Sequence, residues 1–314
     1  MLNMIMRRLG AAVIIFFLVS ILVFALILLV PGDPAVAVAG ENADADRIEA
    51  IRSQLGLDDP IIVQYWNWLT DALTGDFGNS LVTGESVISG LTERLPATAS
   101  LMILSVSLAV IGGVPAGLLA GLRPGSVFDR GASVLATIGL AVPSFWLALV
   151  LIMFFSLDLG WFPAVGYTPF TENPWNWFLG LTLPAITLGT AGMAEIARQT
   201  RAGVADTSRR EYVQTAYANG VPEHRVVGRH ILRNASIPIV TVLGLQVAGM
   251  LGGSVITETI FGIDGIGSYA VQAVSQRDFP VVQGMVLFVT IIVLIVNLLV
   301  DISYGMINPK VRSA

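Results

Sequence analysis

"RRLGAAVIIFFLVSILVFALILLV", Arg7–Val30, sets the class of this chain. Two arginines lead into an apolar run of about 22 residues, the length a helix needs to cross a hydrocarbon layer about 30 Å thick. A cleaved leader is the competing reading, because Ala-x-Ala spacings follow in "PGDPAVAVAG". A leader's apolar region is only about 7–15 residues long, so the run reads as an uncleaved first span.

The same pattern recurs along the 314 residues, which are 54% hydrophobic and 12% charged. Mean hydropathy is +0.77. A soluble domain carries about twice that charged fraction. The chain is predicted to be an all-α polytopic membrane protein, one transmembrane domain over 1–314, embedded in lipid. Six spans are expected, at about 9–30, 97–122, 132–157, 177–197, 237–257 and 281–306. The fourth is the least apolar, with Pro184 and Glu195 inside it.

Arginine distribution orients the spans. With both termini cytoplasmic, the inside segments hold 13 of the 17 Lys+Arg, seven of them in 198–236. Arg47, Arg52, Arg94 and Arg277 fall outside. The long outside segment, about 34–95, reads as helical. Ile48, Ile51 and Leu55 share a helical face, and Tyr65, Trp66 and Trp68 suit a helix at headgroup level. "SVISGLTERLP" reads as a further short helix before the second span.

Gly113, Gly117 and Gly121 recur every four residues, and Gly249 and Gly253 repeat the spacing in the fifth span. Small residues so placed let helix backbones approach closely. Pro115, Pro143 and Pro184 each remove a backbone donor within a span and permit a kink. Polar residues inside spans are candidate pathway or gate positions. Gln246 lies mid-span, reading either as a pathway residue or as a helix–helix hydrogen bond, and Asn297 and Asp301 lie four apart near the cytoplasmic end of the sixth span, where Asp301 also reads as reaching the aqueous edge.

Several chemistries are excluded. The only lysine is Lys310 and no Gly-Lys-Ser/Thr occurs, so the chain lacks a phosphate-cradling P-loop. There is no cysteine, and His224 and His230 are six apart, which is poor metal spacing. "GIGSYA", Gly265–Ala270, lacks the strand and crossover of a dinucleotide site and reads as a turn. Glu258 and Asp301 belong to opposite membrane faces and cannot form an aspartyl pair. No catalytic residue, cofactor or metal site is expected in the chain itself, and no nucleic-acid fold surrounds its basic segment.

That segment, about 198–236, contains "EYVQTAYANGVPEHRVVGRHILRN", Glu211–Asn234. Tyr212, Thr215, Ala216 and Asn219 share a helical face, Gly220 ends that helix, and Pro222 opens a second, about 222–233, with Arg225, Arg229 and Arg233 along one stripe. The segment resembles the cytoplasmic "EAA" loop of permease subunits of bacterial ABC importers, which reads Glu-Ala-Ala, three residues, Gly, nine residues, Ile-x-Leu-Pro. The aligned positions are Gln214, Thr215, Ala216, Gly220, His230, Leu232 and Arg233. It is more similar to the variant of the dipeptide/oligopeptide branch, "YVxTAxAxG…RHxLRNAxIP", over Tyr212–Gly220 and Arg229–Pro238. "PGDP" (Pro31–Pro34), "GDFGNS" (Gly75–Ser80), "AVPSFWLALVL", "RQTRAG", "ETIFGIDGIGSYAVQAVSQRDFPVVQG" and "NPKVR" resemble the same branch, most closely its B-type member, with Asp264 where Pro is common.

The resemblance implies a type I importer permease in the bacterial inner membrane that forms half of a translocation pathway by alternating access. It implies a second homologous permease, two ATPase subunits that bind ATP and Mg, and an extracytoplasmic substrate-binding protein. Tyr212, Thr215, Ala216, Gly220, Val221, Pro222 and Arg225 would form the loop on which an ATPase docks. Peptides are the implied cargo, with nickel, glutathione or haem-like cargo carried by relatives. A self-sufficient secondary transporter or an intramembrane enzyme is the rival class. A secondary transporter would place coupling charges near the midplane.

Overall fold

The computed structural model describes residues 2–28, 35–36, 44–54 and 56–307. Pro31–Pro34, Leu55 and Asn308–Arg312, all quoted above, lie outside them. The described elements are helical, apart from an isolated antiparallel bridge between Asn79 and Ser86. Helices α1 (Leu2–Leu28), α2 (Ala45–Gln54) and α3 (Ile61–Thr74) precede α4 (Val87–Leu122), α5 (Val127–Ala141) and α6 (Ser144–Leu151). A π-helical stretch, Ile152–Asp158, continues α6. Then come α7 (Pro174–Ser208), α8 (Glu211–Ala218), α9 (Glu223–Arg225), α10 (Arg233–Phe261), α11 (Ile266–Ser275) and α12 (Phe279–Ile307).

Among the described residues five helical segments are long and apolar enough to cross a membrane: Ile5–Leu26, Val87–Leu122, Pro174–Ser208, Val242–Phe261 and Phe279–Ile302. The third expected span, 132–157, is not one straight helix. Val127–Ala141 and Ser144–Asp158 meet at an angle of 103°, and counted together they make a sixth span. Pro143 explains the break. The residue before a proline is driven out of the α region, and Val142 is extended at φ −72° and ψ 124°. Each arm of 15 residues reaches about 22 Å, short of the hydrocarbon thickness of about 30 Å.

Two helices overrun their expected spans. α4 has 36 residues and α7 has 35, each over 50 Å long at about 1.5 Å per residue. "SVISGLTERLP" therefore does not form a separate helix. It is the first part of α4, which continues through Pro96. α7 carries the chain to Ser208, so the first eleven residues of the expected loop are shaft.

The chain divides into two compact units. One comprises Ala97–Gly267 with residues 2–5 and 296–307. Its core includes Leu101, Leu181, Leu183, Ile196 and Phe261, all at most 1% exposed. α4 and α7 run side by side on glycine. A Cβ on Gly113 would lie 2.7 Å from Met193 O, one on Gly117 2.6 Å from Thr200 Cβ, and one on Gly121 2.7 Å from Arg201 O. Partner numbers rise together, so the helices are parallel, and the spacing of four does what the sequence implied. The fifth-span repeat differs. Nothing lies within 4 Å of a Cβ on Gly249, and Gly253 meets only Leu188 Cδ1 at 3.2 Å.

The second unit comprises Met6–Pro96 and Ser268–Ile295. Here α3 packs on α1. Ser20 Oγ and Tyr65 Oη are 2.8 Å apart, and Phe24 contacts the rings of Tyr65 and Trp68. Ser20 lies within the apolar span Ile5–Leu26, so Tyr65 packs on a membrane-spanning helix. The "GDFGNS" loop is tied down by Asp278, whose carboxylate accepts Ser80 Oγ at 2.5 Å and Leu81 N–H at 3.1 Å.

Candidate functional site

The cytoplasmic loop begins where α7 ends. Arg210 pairs with Asp206 at 2.7 Å, and that hydrogen-bonded carboxylate raises the guanidinium pKa above its ordinary value. Gln214, at the Glu position of the EAA pattern, donates to Ser208 O at 2.9 Å and so fastens α8 to the end of the shaft. α8 then closes as the sequence suggested. Gly220 is left-handed at φ +71°, its N–H donates to Tyr217 O at 3.0 Å, and Val221 N–H reaches back to Ala216 O at 3.1 Å. This is the Schellman pattern, in which a residue past the turn packs back on the helix it ends.

The second helix departs from expectation. Only Glu223–Arg225 is α-helical after Pro222, and Val226–Leu232 is a π stretch that runs directly into α10. The cause is visible in the burial. Val226 and Ile231 are both 0% exposed, five residues apart, a separation that falls nearer one face in the wider π turn (i→i+5 bonding) than in an α-helix. They join Val204, Val213 and Ala235 in an apolar cluster beneath the loop. Asn234 ties the pieces together. Its Nδ2 donates to Tyr212 Oη at 3.0 Å and to His230 O at 2.7 Å.

The seven candidate docking residues therefore separate into two groups. Tyr212, Thr215, Gly220, Pro222 and Arg225 are exposed. Ala216 and Val221 are half-buried and pack on the cluster below. A Cβ on Gly220 would meet nothing within 4 Å, so this surface is open and its glycine is set by backbone conformation.

An ion pair at the base of the loop was not read from sequence. Arg201, on α7, grips Asp129, at the start of α5, through Nε to Oδ1 and through Nη2 to Oδ2 at 2.8 Å. Ser126 caps α5 by accepting Asp129 N–H at 3.1 Å. The Ser-x-x-Asp spacing ahead of an apolar helix was the available signal.

The intramembrane polar candidates lie on two helices, α10 and α12. Gln246 lies against α7, where a Cβ on Gly192 would be 3.7 Å from its Oε1. Asn297 is exposed on α12 and Asp301 is half-buried one turn later. Among the described residues no group of three or more His, Asp or Glu side chains could hold a metal ion.

Comparison with known proteins agrees with this architecture. The family described as "Binding-protein-dependent transport system inner membrane component" matches residues 113–313, and the corresponding N-terminal family matches residues 1–102. A protein of Brucella abortus (strain 2308) named for a peptide transport system permease is 40% identical over 309 residues, 98% of each chain. The glutathione transport system permease protein of Escherichia coli (strain K12) is 41% identical over 312 residues, 99% of each chain. Among solved structures, an inward-facing form of the MetNI methionine ABC transporter has the same fold, with TM-score 0.56, 16% identity, and 69% of this chain covering 96% of that one. An amino acid ABC transporter follows at TM-score 0.51 and 21% identity, covering 70% and 93%. By family match and by full-length relatives, the chain belongs to the inner-membrane permease components of binding-protein-dependent ABC importers.

Proposed function

We propose that this permease forms half of the pathway for short peptides. The observation that carries the reading is the pair of full-length relatives at 40% and 41% identity, named for peptide and for glutathione transport. Glutathione is itself a small peptide, so one cargo chemistry covers both names. The composition points the same way. No cysteine is present, and both histidines lie on the cytoplasmic loop, so the spans offer neither thiolate nor imidazole to nickel or haem iron.

Permeases of this family work with ATPase and substrate-binding partners. We propose two ATPases and a second, homologous permease. One ATPase rests on the exposed face formed by Tyr212, Thr215, Gly220, Pro222 and Arg225, with Ala216 and Val221 as the packed underside. ATP-driven closure of the ATPases shifts the permeases between inward- and outward-facing packings, which is a biased two-state equilibrium. Asn297 supports a second permease. An exposed amide on an apolar helix is costly against lipid, and it favours a protein neighbour or a watered pathway. The test is to identify the binding protein, measure its affinity for dipeptides and glutathione, and follow ATP-dependent uptake of the better ligand by the reconstituted complex. Binding of neither, with a metal or haem bound instead, overturns the peptide assignment.

A further inference from the structure

The Asp129–Arg201 pair lies outside the docking face, yet its placement gives it a task. The two residues are 72 positions apart and meet in a two-pronged contact. Asp129 is 4% exposed at its side chain and Arg201 39%. The carboxylate accepts a further bond from Gly125 N–H at 2.8 Å, while Ser126 Oγ holds the Asp129 N–H. The turn between α4 and α5, the first turn of α5, and α7 are thus fixed at one point. A charge-assisted fork of this kind restricts orientation as well as distance.

Two features connect this point to motion. Towards the cytoplasm, α7 continues unbroken for seven residues to Ser208, to which Gln214 fastens α8. Displacement of the loop is therefore displacement of the Arg201 turn. Towards the membrane, α5 runs from Asp129 to the 103° break at Val142 and Pro143. Beside Arg201, Gly121 holds α4 so close that a Cβ would lie 2.8 Å from Val204 Cβ. α4 is thus held to α7 by backbone packing; α5 packs on α7 nearer its far end, where a Cβ on Gly139 would lie 3.3 Å from Ala194 Cβ, and its start is held there by the ion pair.

We infer that Asp129 and Arg201 are positioning residues that pass movement of the cytoplasmic loop to the bent α5–α6 pair. The inference rests on the proposed role of that loop as the ATPase docking surface. Neither residue touches cargo or nucleotide. When ATP moves the loop, α5 follows because Arg201 carries Asp129 with it.

The cysteine-free sequence permits a direct test. Spin labels are placed at Leu135 on α5, 70% exposed, and at Tyr217 on α8, 40% exposed, in the fully assembled transporter in lipid. In the native pair ATP leaves the label distance as one narrow population, because the two elements travel together. In Asp129→Asn the distribution broadens or splits on ATP addition. Uptake of a labelled dipeptide falls about tenfold, the scale of a typical coupling energy, while ATPase copurification stays at the native level. Arg201→Lys, which keeps charge and loses the fork, falls between. The reversed pair Asp129→Arg with Arg201→Asp restores the narrow distribution, which a purely local packing role would not do. An unchanged distance distribution and uptake in Asp129→Asn overturns the inference, as does a reversed pair that assembles normally and stays broadened. A wrong cargo assignment silences uptake in native and variant alike and leaves the distance readout intact.

Discussion

Thr98 donates its hydroxyl to Glu258 Oε1 at 2.8 Å and accepts the Ile266 N–H at 2.9 Å, joining α4 to the end of α10 and the start of α11. Both side chains are buried, at 2% and 0% exposure. Gly265 and Gly267 close around the carboxylate. A Cβ on either would lie 2.5 Å or 2.9 Å from Oε2. A buried carboxyl group is tolerated only when it is hydrogen-bonded. Thr98→Val keeps the shape and deletes both bonds. It should cost about 2–4 kcal/mol and lower the melting temperature in detergent, while Thr98→Ser stays near native. Equal melting of the valine and serine variants would refute the assignment.

Glycines at the same spacing should respond oppositely to one added methyl group. Gly117→Ala forces a Cβ to within 2.6 Å of Thr200 Cβ and against α7 backbone, so α4 and α7 must separate. Over-packing of this kind costs about 1–3 kcal/mol. Gly249→Ala adds its methyl to open space and gains helix propensity. Thermal unfolding of the two variants in detergent should place Gly117→Ala below native and Gly249→Ala at or above it.

These contrasts show which information a linear reading carries. The apolar runs were legible because crossing a bilayer needs length and composition, both local properties. The α8 turn was legible because Gly220 and Pro222 have few conformational uses. The spacing of Gly249 and Gly253 says where a backbone could approach, and it says nothing about whether a neighbour stands there. The π stretch escaped because Val226 and Ile231, five apart, match no α template. Pro96 read as a boundary, yet α4 continues through it, as spanning helices can when neighbours satisfy the freed carbonyl. The pairing of Asp129 with Arg201 escaped because nothing local links positions 72 apart.

Arg277 is the only non-glycine among the described residues with positive φ, at +58°, where it ends α11. Its N–H donates to Val274 O at 3.2 Å, and Asp278 N–H reaches Ala273 O at 2.9 Å. A left-handed L-residue costs about 1–2 kcal/mol, and the exposed Arg277 side chain offers nothing in the described contacts to offset it. Arg277→Gly should therefore raise thermal stability by up to about 1 kcal/mol. Arg277→Val should lower it, since a β-branched side chain tolerates that region worst. Melting temperatures in detergent decide; a fall in the glycine variant would show that Arg277 has a compensating partner.

The loop surface requires a test that separates docking from folding. Ala216→Glu buries a charge against Val213 and Ile231 and should unfold the loop whether or not an ATPase binds there. Thr215→Arg and Arg225→Glu change exposed side chains; the only described bond they disturb is Thr215 Oγ1 to Glu211 O at 2.9 Å, within one helical turn. Both should keep native resistance to limited proteolysis and lose ATPase copurification by about tenfold or more, as an introduced or reversed charge at an interface does. Gly220→Asn, which tolerates the left-handed region, should remain close to native in both readouts, and Gly220→Val should fail in both. Native copurification by Thr215→Arg and Arg225→Glu together would remove the docking face from this loop.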